Sequence, residues 1–205
     1  MNFVKVPNEL IYGYCRELFP NSIYMYMVIL DKMWNESGKK YAFGSDRTLS
    51  EWTGIRRGHI HKYRQELIKA GLIKYIPQGT IYGDYDEKFK DMKSRYYPQL
   101  VAGDRNYICV PKDEILYNKQ LKPNEKLVYI LLLAILNKQK GYAYPSQAYM
   151  AETLGVSKRT IKRIISELEQ KNFISVIRDD WNGSRTVNKY KPMYSIKQEA
   201  ASMAS

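Results

Sequence analysis

Between Ile161 and Leu168 the apolar residues recur as Ile161, Ile164, Ile165 and Leu168, the i, i+3, i+4, i+7 spacing of one helical face. At about 100° per residue the opposite face carries Arg159, Arg163, Ser166 and Gln170, flanked by Lys158 and Lys162. Upstream, Ser146 starts a shorter helix whose apolar face is Ala148, Ala151 and Leu154. Gly155 supplies a turn, Val156 packs beneath it, and Ser157 is a side-chain cap for the long basic helix. Asn172 ends that helix, and Phe173 to Ile177 alternates as a strand. Trp181-Asn182-Gly183-Ser184-Arg185 contains the Asn-Gly pair favoured by tight hairpin turns, and Tyr190 to Ile196 reads as the returning strand.

The same pattern occurs earlier in the chain. Setting Gly54 on Gly155, a shift of 101 positions, aligns GIRRGHIHKYRQELIKAGLI (54–73) with GVSKRTIKRIISELEQKNFI (155–174) without a gap. Ile60 falls on Ile161, Glu66 on Glu167, Leu67 on Leu168 and Ile73 on Ile174. Tyr41-Ala42-Phe43-Gly44-Ser45 falls on Tyr142-Ala143-Tyr144-Pro145-Ser146; with small shifts Pro20-Asn21 matches Pro123-Asn124, and Val6-Pro7 matches Val110-Pro111. Similarity sustained along a whole unit predicts an internal duplication. Each unit opens with a proline-stopped strand, FVKVPNELI (3–11) or YICVPKDEI (107–115), and a polar turn, LFPN (18–21) or LKPN (121–124). A strongly apolar helix follows, Ile23 to Trp34 or Glu125 to Asn137, whose aliphatic saturation predicts burial. A short strand, Lys40 to Phe43 or Gly141 to Tyr144, then leads into the two-helix pattern.

The first unit departs from the second in its basic helix. It opens Arg56-Arg57-Gly58, without a Ser cap and with a helix-weakening glycine on the outer side. Arg64 stands where Ile165 stands in the second unit, which narrows the apolar stripe to Ile60, Tyr63 and Leu67. Arg56, Arg57, Lys62 and Gln65 still project outward. Between the units, residues 77–106 begin as an elongated hairpin turning near Gln78-Gly79 and continue with the mixed-charge run DEKFKDMKSRYY. At this length a structureless loop is unusual, so a linker, an extended hairpin and a protein-contact segment all stay open. Residues 198–205 are small and polar and are expected to be disordered.

Charge sharpens the picture. Of 205 residues, 33 are Lys or Arg against 21 Asp or Glu, a net charge of +12, which favours a polyanionic partner such as nucleic acid or an acidic membrane surface. No apolar run reaches membrane-spanning length, and the N-terminus lacks the layout of a signal peptide, so an intracellular, soluble, cytoplasmic protein is expected. Two cysteines, Cys15 and Cys109, are too few for a disulfide framework.

Catalytic constellations are missing from the sequence. The two histidines, His59 and His61, are spaced i, i+2, which does not set both on one helical face for a metal; a phosphate or base contact, or plain solvent exposure, suits them better than a ligand pair. Asp84, Asp86, Glu87 and Asp91 lack the glycine and ligand order of a calcium loop. Phosphate-binding and nucleophile motifs are likewise not found, so no enzyme activity, cofactor or metal is expected. For DNA the chemistry fits: Arg and Lys contact guanine O6/N7, Ser and Gln read other edges, and Lys holds phosphates. The candidate DNA-binding set is Arg56, Arg57, His59, Lys62 and Gln65 in the first unit. In the second it is Ser157, Lys158, Arg159, Lys162, Arg163 and Ser166, with Arg178, Arg185 and Lys189 on the hairpin. A solvated charged face on any amphipathic helix gives a similar pattern, but helix, Gly turn, capped basic helix and Asn-Gly hairpin in that order weigh against it.

That order, carried by GVSKRTIKRIISELEQKNFI and the Trp181 to Arg185 turn, resembles the winged helix-turn-helix, in which a β-hairpin wing follows a DNA recognition helix. The resemblance implies an α+β fold of two tandem winged helices: residues 1–76, an extended wing or linker at 77–106, residues 107–197, and the tail. The openings VKVPNELI…LFPNSIYMYMVILDKM and ICVPKDEI…LKPNEKLVYILLLAIL resemble replication initiators of plasmids and phages, especially of Gram-positive bacteria. That resemblance implies sequence-specific binding of double-stranded DNA, with host replication proteins and a second copy of the chain as further candidate partners. Two heads in one chain imitate a dimer, so two nearby half-sites are expected. Such initiators often carry a further C-terminal domain, and little follows Ile196 here. A transcriptional repressor, a copy-number regulator or a partition or transfer accessory protein is therefore the alternative.

Overall fold

The computed structural model describes residues 2–33, 40–81, 84–85, 93–101, 106–178 and 188–194. The first half runs from β1 (Phe3–Pro7) through a π-helical turn at Leu10–Tyr14 into α1 (Pro20–Lys32) and β2 (Ala42–Phe43). Then come α2 (Asp46–Thr53), α3 (Arg57–Lys69), β3 (Ile73–Ile76), the short β4 (Thr80–Ile81) and β5 (Asp84–Tyr85), and β6 (Arg95–Pro98). The second half repeats the theme with β7 (Tyr107–Pro111), a π-helical turn at Lys112–Leu116, and α4 (Pro123–Ala134). It ends with α5 (Gln147–Thr153), α6 (Lys158–Gln170), β8 (Ile174–Arg178) and β9 (Asn188–Pro192). Helices with small antiparallel sheets make the fold α+β.

Proline opens both of the most apolar helices. At the first helical position it has no N–H to waste and its φ is already helical. The helices therefore begin at Pro20 and Pro123, ahead of the Ile23 and Glu125 expected from sequence, where Pro-Asn reads as a turn. From Ser22 to Asp31 every residue of α1 is buried, as its all-round apolarity requires. Helix α4 stops at Ala134 rather than Asn137, because Asn137 turns to pair with Tyr142 (N···O 3.2 Å). In α5 the buried positions are Met150 and Ala151, with Leu154 just beyond, while Ala148 is exposed.

The hairpins that follow α3 and α6 share one register. In the first half β6 pairs with both β3 and β2: Ile73 faces Pro98, Ile76 faces Arg95, and Ala42 faces Tyr96. In the second, Ile174 faces Pro192, Ile177 faces Lys189, and Ala143 bridges Tyr190. The boundary drawn at residue 76 thus falls between β3 and its own partner, and Arg95–Pro98 of the intervening segment is sheet. Tyr96-Tyr97-Pro98 and Tyr190-Lys191-Pro192 are the corresponding strand ends. Strand β9 starts before Tyr190 and stops at Pro192, short of Ile196. One further matched bond closes each unit: Leu100 N donates to Tyr26 Oη (3.0 Å) and Tyr194 N to Tyr129 Oη (3.2 Å).

The halves are joined by the strands that proline terminates. Strands β1 and β7 pair antiparallel, Phe3 opposite Pro111 through Pro7 opposite Tyr107. With Val6-Pro7 set on Val110-Pro111, a shift of 104, Lys5 falls on Cys109, and these two residues face each other. The pair is therefore built like two copies of one strand about a two-fold axis. The flanking bonds obey the same axis: Asn8 N donates to Asn106 O (3.0 Å) and Lys112 N to Asn2 O (3.0 Å). Helices α1 and α4 also touch, and one hydrophobic core runs through both halves. Asp31, buried in α1, accepts from Lys112 Nζ (2.6 Å) and Tyr117 Oη (2.5 Å) across the junction.

Candidate nucleic-acid interface

Helix α6 is capped as its sequence predicts. Ser157 Oγ accepts from Thr160 N at 3.1 Å, and Ile161, Ile164, Ile165 and Leu168 are buried against α4 and the core. That fixes the rotation of the helix. Lys158, Arg159, Lys162, Arg163, Ser166 and Gln170 all lie exposed on the other side. Arg163 Nη1 sits 3.4 Å from Glu167 Oε1, an exposed i,i+4 pair that is weak in water and easily exchanged for a stronger anion. Ser157 is occupied by its capping role, so its contribution is to orient the helix N-terminus rather than to offer a free hydroxyl. Asn172 adopts φ 59 just after α6 and turns the chain into β8.

Helix α3 presents a related but thinner face. Arg56 takes the cap position with extended backbone and no side-chain cap; Arg56, Arg57, Gly58 and His59 are exposed. The His59 ring stacks over Tyr63 with centroids 6.3 Å apart, while His61 Nδ1 lies 3.1 Å from Arg64 Nη2, so the two histidines separate. Lys62 Nζ lies 4.2 Å above the half-exposed Phe19 ring, and Gln65 is half-buried. Lys69, outside the candidate set above, is exposed at the end of this face, and its i+7 spacing from Lys62 is the signal that marks it in the sequence.

The two basic helices are moored differently. In the first half Glu66 accepts from Ser22 Oγ and from Phe19 N (3.2 Å), and Asn21 Nδ2 donates to Tyr63 Oη (2.8 Å). In the second, Lys171 Nζ contacts Glu125 Oε1 at 2.6 Å and Gln120 O at 2.9 Å. Glu125 is almost fully buried, which works to raise its pKa, but bonds from Lys171 and Lys122 N outweigh this and hold it below the usual carboxylate range. Its neighbour Lys126 donates to Leu116 O (2.7 Å) and lies 4.0 Å from the Tyr24 ring; burial lowers its pKa to about 8.

Of the hairpin residues, Arg178 is engaged by both oxygens of Glu169 (3.1 and 2.6 Å), so it braces β8 on α6. Lys189 is half-buried with its ammonium 5.4 Å from the Tyr142 ring. Lys191 is exposed. Arg185 and the Trp181 to Arg185 turn lie outside the described residues, as does the 198–205 tail. Among the described residues no group of three or more His, Cys, Asp or Glu side chains comes together as a metal site.

Residues 119–174 match a family described as a helix-turn-helix domain. The match spans α4, α5 and α6, and supports a DNA-binding helix-turn-helix in the second half. No curated protein matches the chain. Among the described residues no helix is long and apolar enough to cross a membrane.

Proposed function

We propose that the chain is a duplicated winged helix whose two heads bind double-stranded DNA sequence-specifically, and that it serves as a replication-initiator-like protein of a plasmid, phage or other mobile element. The observation that carries the DNA reading is the outer face of α6: four cations, Ser166 and Gln170 exposed on a helix whose back is locked into the core. In a major groove, Arg159 and Arg163 reach guanine edges, Ser166 and Gln170 read neighbouring bases, and Lys158 and Lys162 hold phosphates. Helix α3 engages a second segment more through phosphates, since Gly58 stands where α6 has Arg159. The matched hairpin registers and the paired Tyr26 and Tyr129 bonds support duplication. The replication role rests on the resemblance of the two openings to initiators; host replication proteins are then the further partners. The reading assigns the chain no catalytic step and no cofactor.

The test is to select bound fragments from the source replicon or genome at about 0.15 M salt, since low salt flatters any basic protein. The best fragment is then footprinted. Spaced repeats at an origin are expected. One short operator over a promoter would replace the initiator reading with a regulator, and uniform binding without a footprint would remove sequence specificity.

A further inference from the structure

We infer that the DNA site of this chain is an inverted repeat of two unlike half-sites, one read by α6 and the other, in opposite polarity, by α3. The inference rests on the two-headed reading above and adds the relative orientation of the heads, which the chain order alone leaves open. Units in tandem along a sequence can equally be related by a translation, which suits a direct repeat, or by a rotation, which suits an inverted one.

The junction decides between them. Strands β1 and β7 run antiparallel with Lys5 opposite Cys109, its own counterpart, and the bonds Asn8 N to Asn106 O and Lys112 N to Asn2 O are exchanged about the same point. Only a two-fold axis does this; a translated copy would meet its partner heterologously. The axis carries outward because each link is repeated. Strand β1 packs on α1 and β7 on α4, the two long helices pack on each other, α1 holds α3, and α4 holds α6. The turns are also placed alike about it: Gly155, before α6, lies against Arg16 of the first half, while Gly54, before α3, lines with Lys119 of the second half a cleft of 680 Å³. Duplex DNA has two-fold axes perpendicular to its length, so heads related by a dyad enter successive major-groove segments with opposite polarity. The half-sites differ because the faces differ: Gly58, Lys62 and Gln65 stand where Arg159, Arg163 and Ser166 stand.

The experiment selects sites from a random duplex pool with the full chain, then resynthesises the best site with one half reversed at unchanged centre spacing. Reversal is expected to weaken binding about 10-fold or more, to the level of a single half-site. A reversed site bound equally well or better, or a selected direct repeat, overturns the inverted arrangement while leaving sequence-specific binding intact. A pool that enriches nothing overturns the DNA reading and this inference with it. A protein variant sharpens the result: Gly58→Arg, Lys62→Arg, Gln65→Ser and Lys69→Gln give α3 the reading residues of α6, and a Cβ at Gly58 meets nothing within 4 Å. This chain should select a site closer to a perfect palindrome; selection of a perfect direct repeat counts against the dyad.

Discussion

The two halves share one backbone plan and solve it with different chemistry. At the centre of the basic helix the second half buries Ile165, whereas the first buries Arg64, only 6% exposed. Arg64 is tolerated because Asp46 pairs with its Nη1, Tyr96 Oη lies 3.3 Å away, and the Tyr75 ring lies 4.4 Å from the guanidinium carbon. The corresponding positions of the second half hold Gln147, Tyr190 and Val176, which leave a cation there without a carboxylate. At the turn the contrast is steric. Gly54 and Gly155 have φ 70 and 64, but a Cβ at Gly54 meets nothing within 4 Å, while one at Gly155 sits 2.7 Å from Arg16 O. The second turn is keyed into the first half, and the first turn borders an open cleft. A fold can thus keep its symmetry in the backbone while its side chains give the two halves different mooring and different exposed faces.

Exchanging the buried pair should separate the halves most. Ile165→Arg is expected to cost about 3–5 kcal/mol, the penalty of a buried charge without its partner. Arg64→Ile should cost less, about 1–2 kcal/mol, because the Asp46 carboxylate it leaves unpaired is a third exposed and stays hydrated. Urea midpoints of the two variants check this, and equal losses would mean that the Arg64–Asp46 pair leaves as costly a hole in the first half as an unpaired cation makes in the second.

The glycine turns come next. Gly155→Ala combines left-handed strain with a backbone clash and should cost about 3 kcal/mol, against about 1 kcal/mol for Gly54→Ala, which meets the strain alone. Matching values from thermal unfolding would show that Arg16 does not press on the second turn.

A pH titration probes the junction. The folded pKa of Lys126, about 8, lies below its unfolded value near 10.5, so between these limits the unfolded chain holds more protons. Stability carried by this group therefore rises with pH across that window and is depressed below it. Measured against Lys126→Met, the native chain should gain about 2 kcal/mol between pH 7 and pH 10. A difference that stays flat would place Lys126 in a better-solvated setting.

The smallest effects concern DNA. Arg163→Ala should weaken binding to the selected site by about 1–3 kcal/mol while leaving random DNA nearly unchanged. Lys62→Ala, its counterpart, should weaken both by about 1 kcal/mol or less and flatten the salt dependence by about one charge. The reverse ranking in salt-titrated binding assays would make α3 the reading head.

Much of this is legible in the sequence without any tertiary contact. The spacing of Ile161, Ile164, Ile165 and Leu168 determines which side of α6 is buried, and hence that Arg159, Arg163 and Ser166 face out, because a helix has only one periodicity. Ser45, Ser146 and Ser157 mark helix starts locally, through bonds that span three residues. What lies far apart in sequence was decided by packing. The antiparallel joining of β1 to β7, the recruitment of Arg95–Pro98 beside Ile73–Ile76, and the capture of Arg178 by Glu169 depend on which surfaces meet in space. Strand pairing leaves no local mark, since backbone N–H and C=O groups are the same in every residue but proline. The composition of Phe3–Pro7 states that it will be a strand; only the folded core states whose.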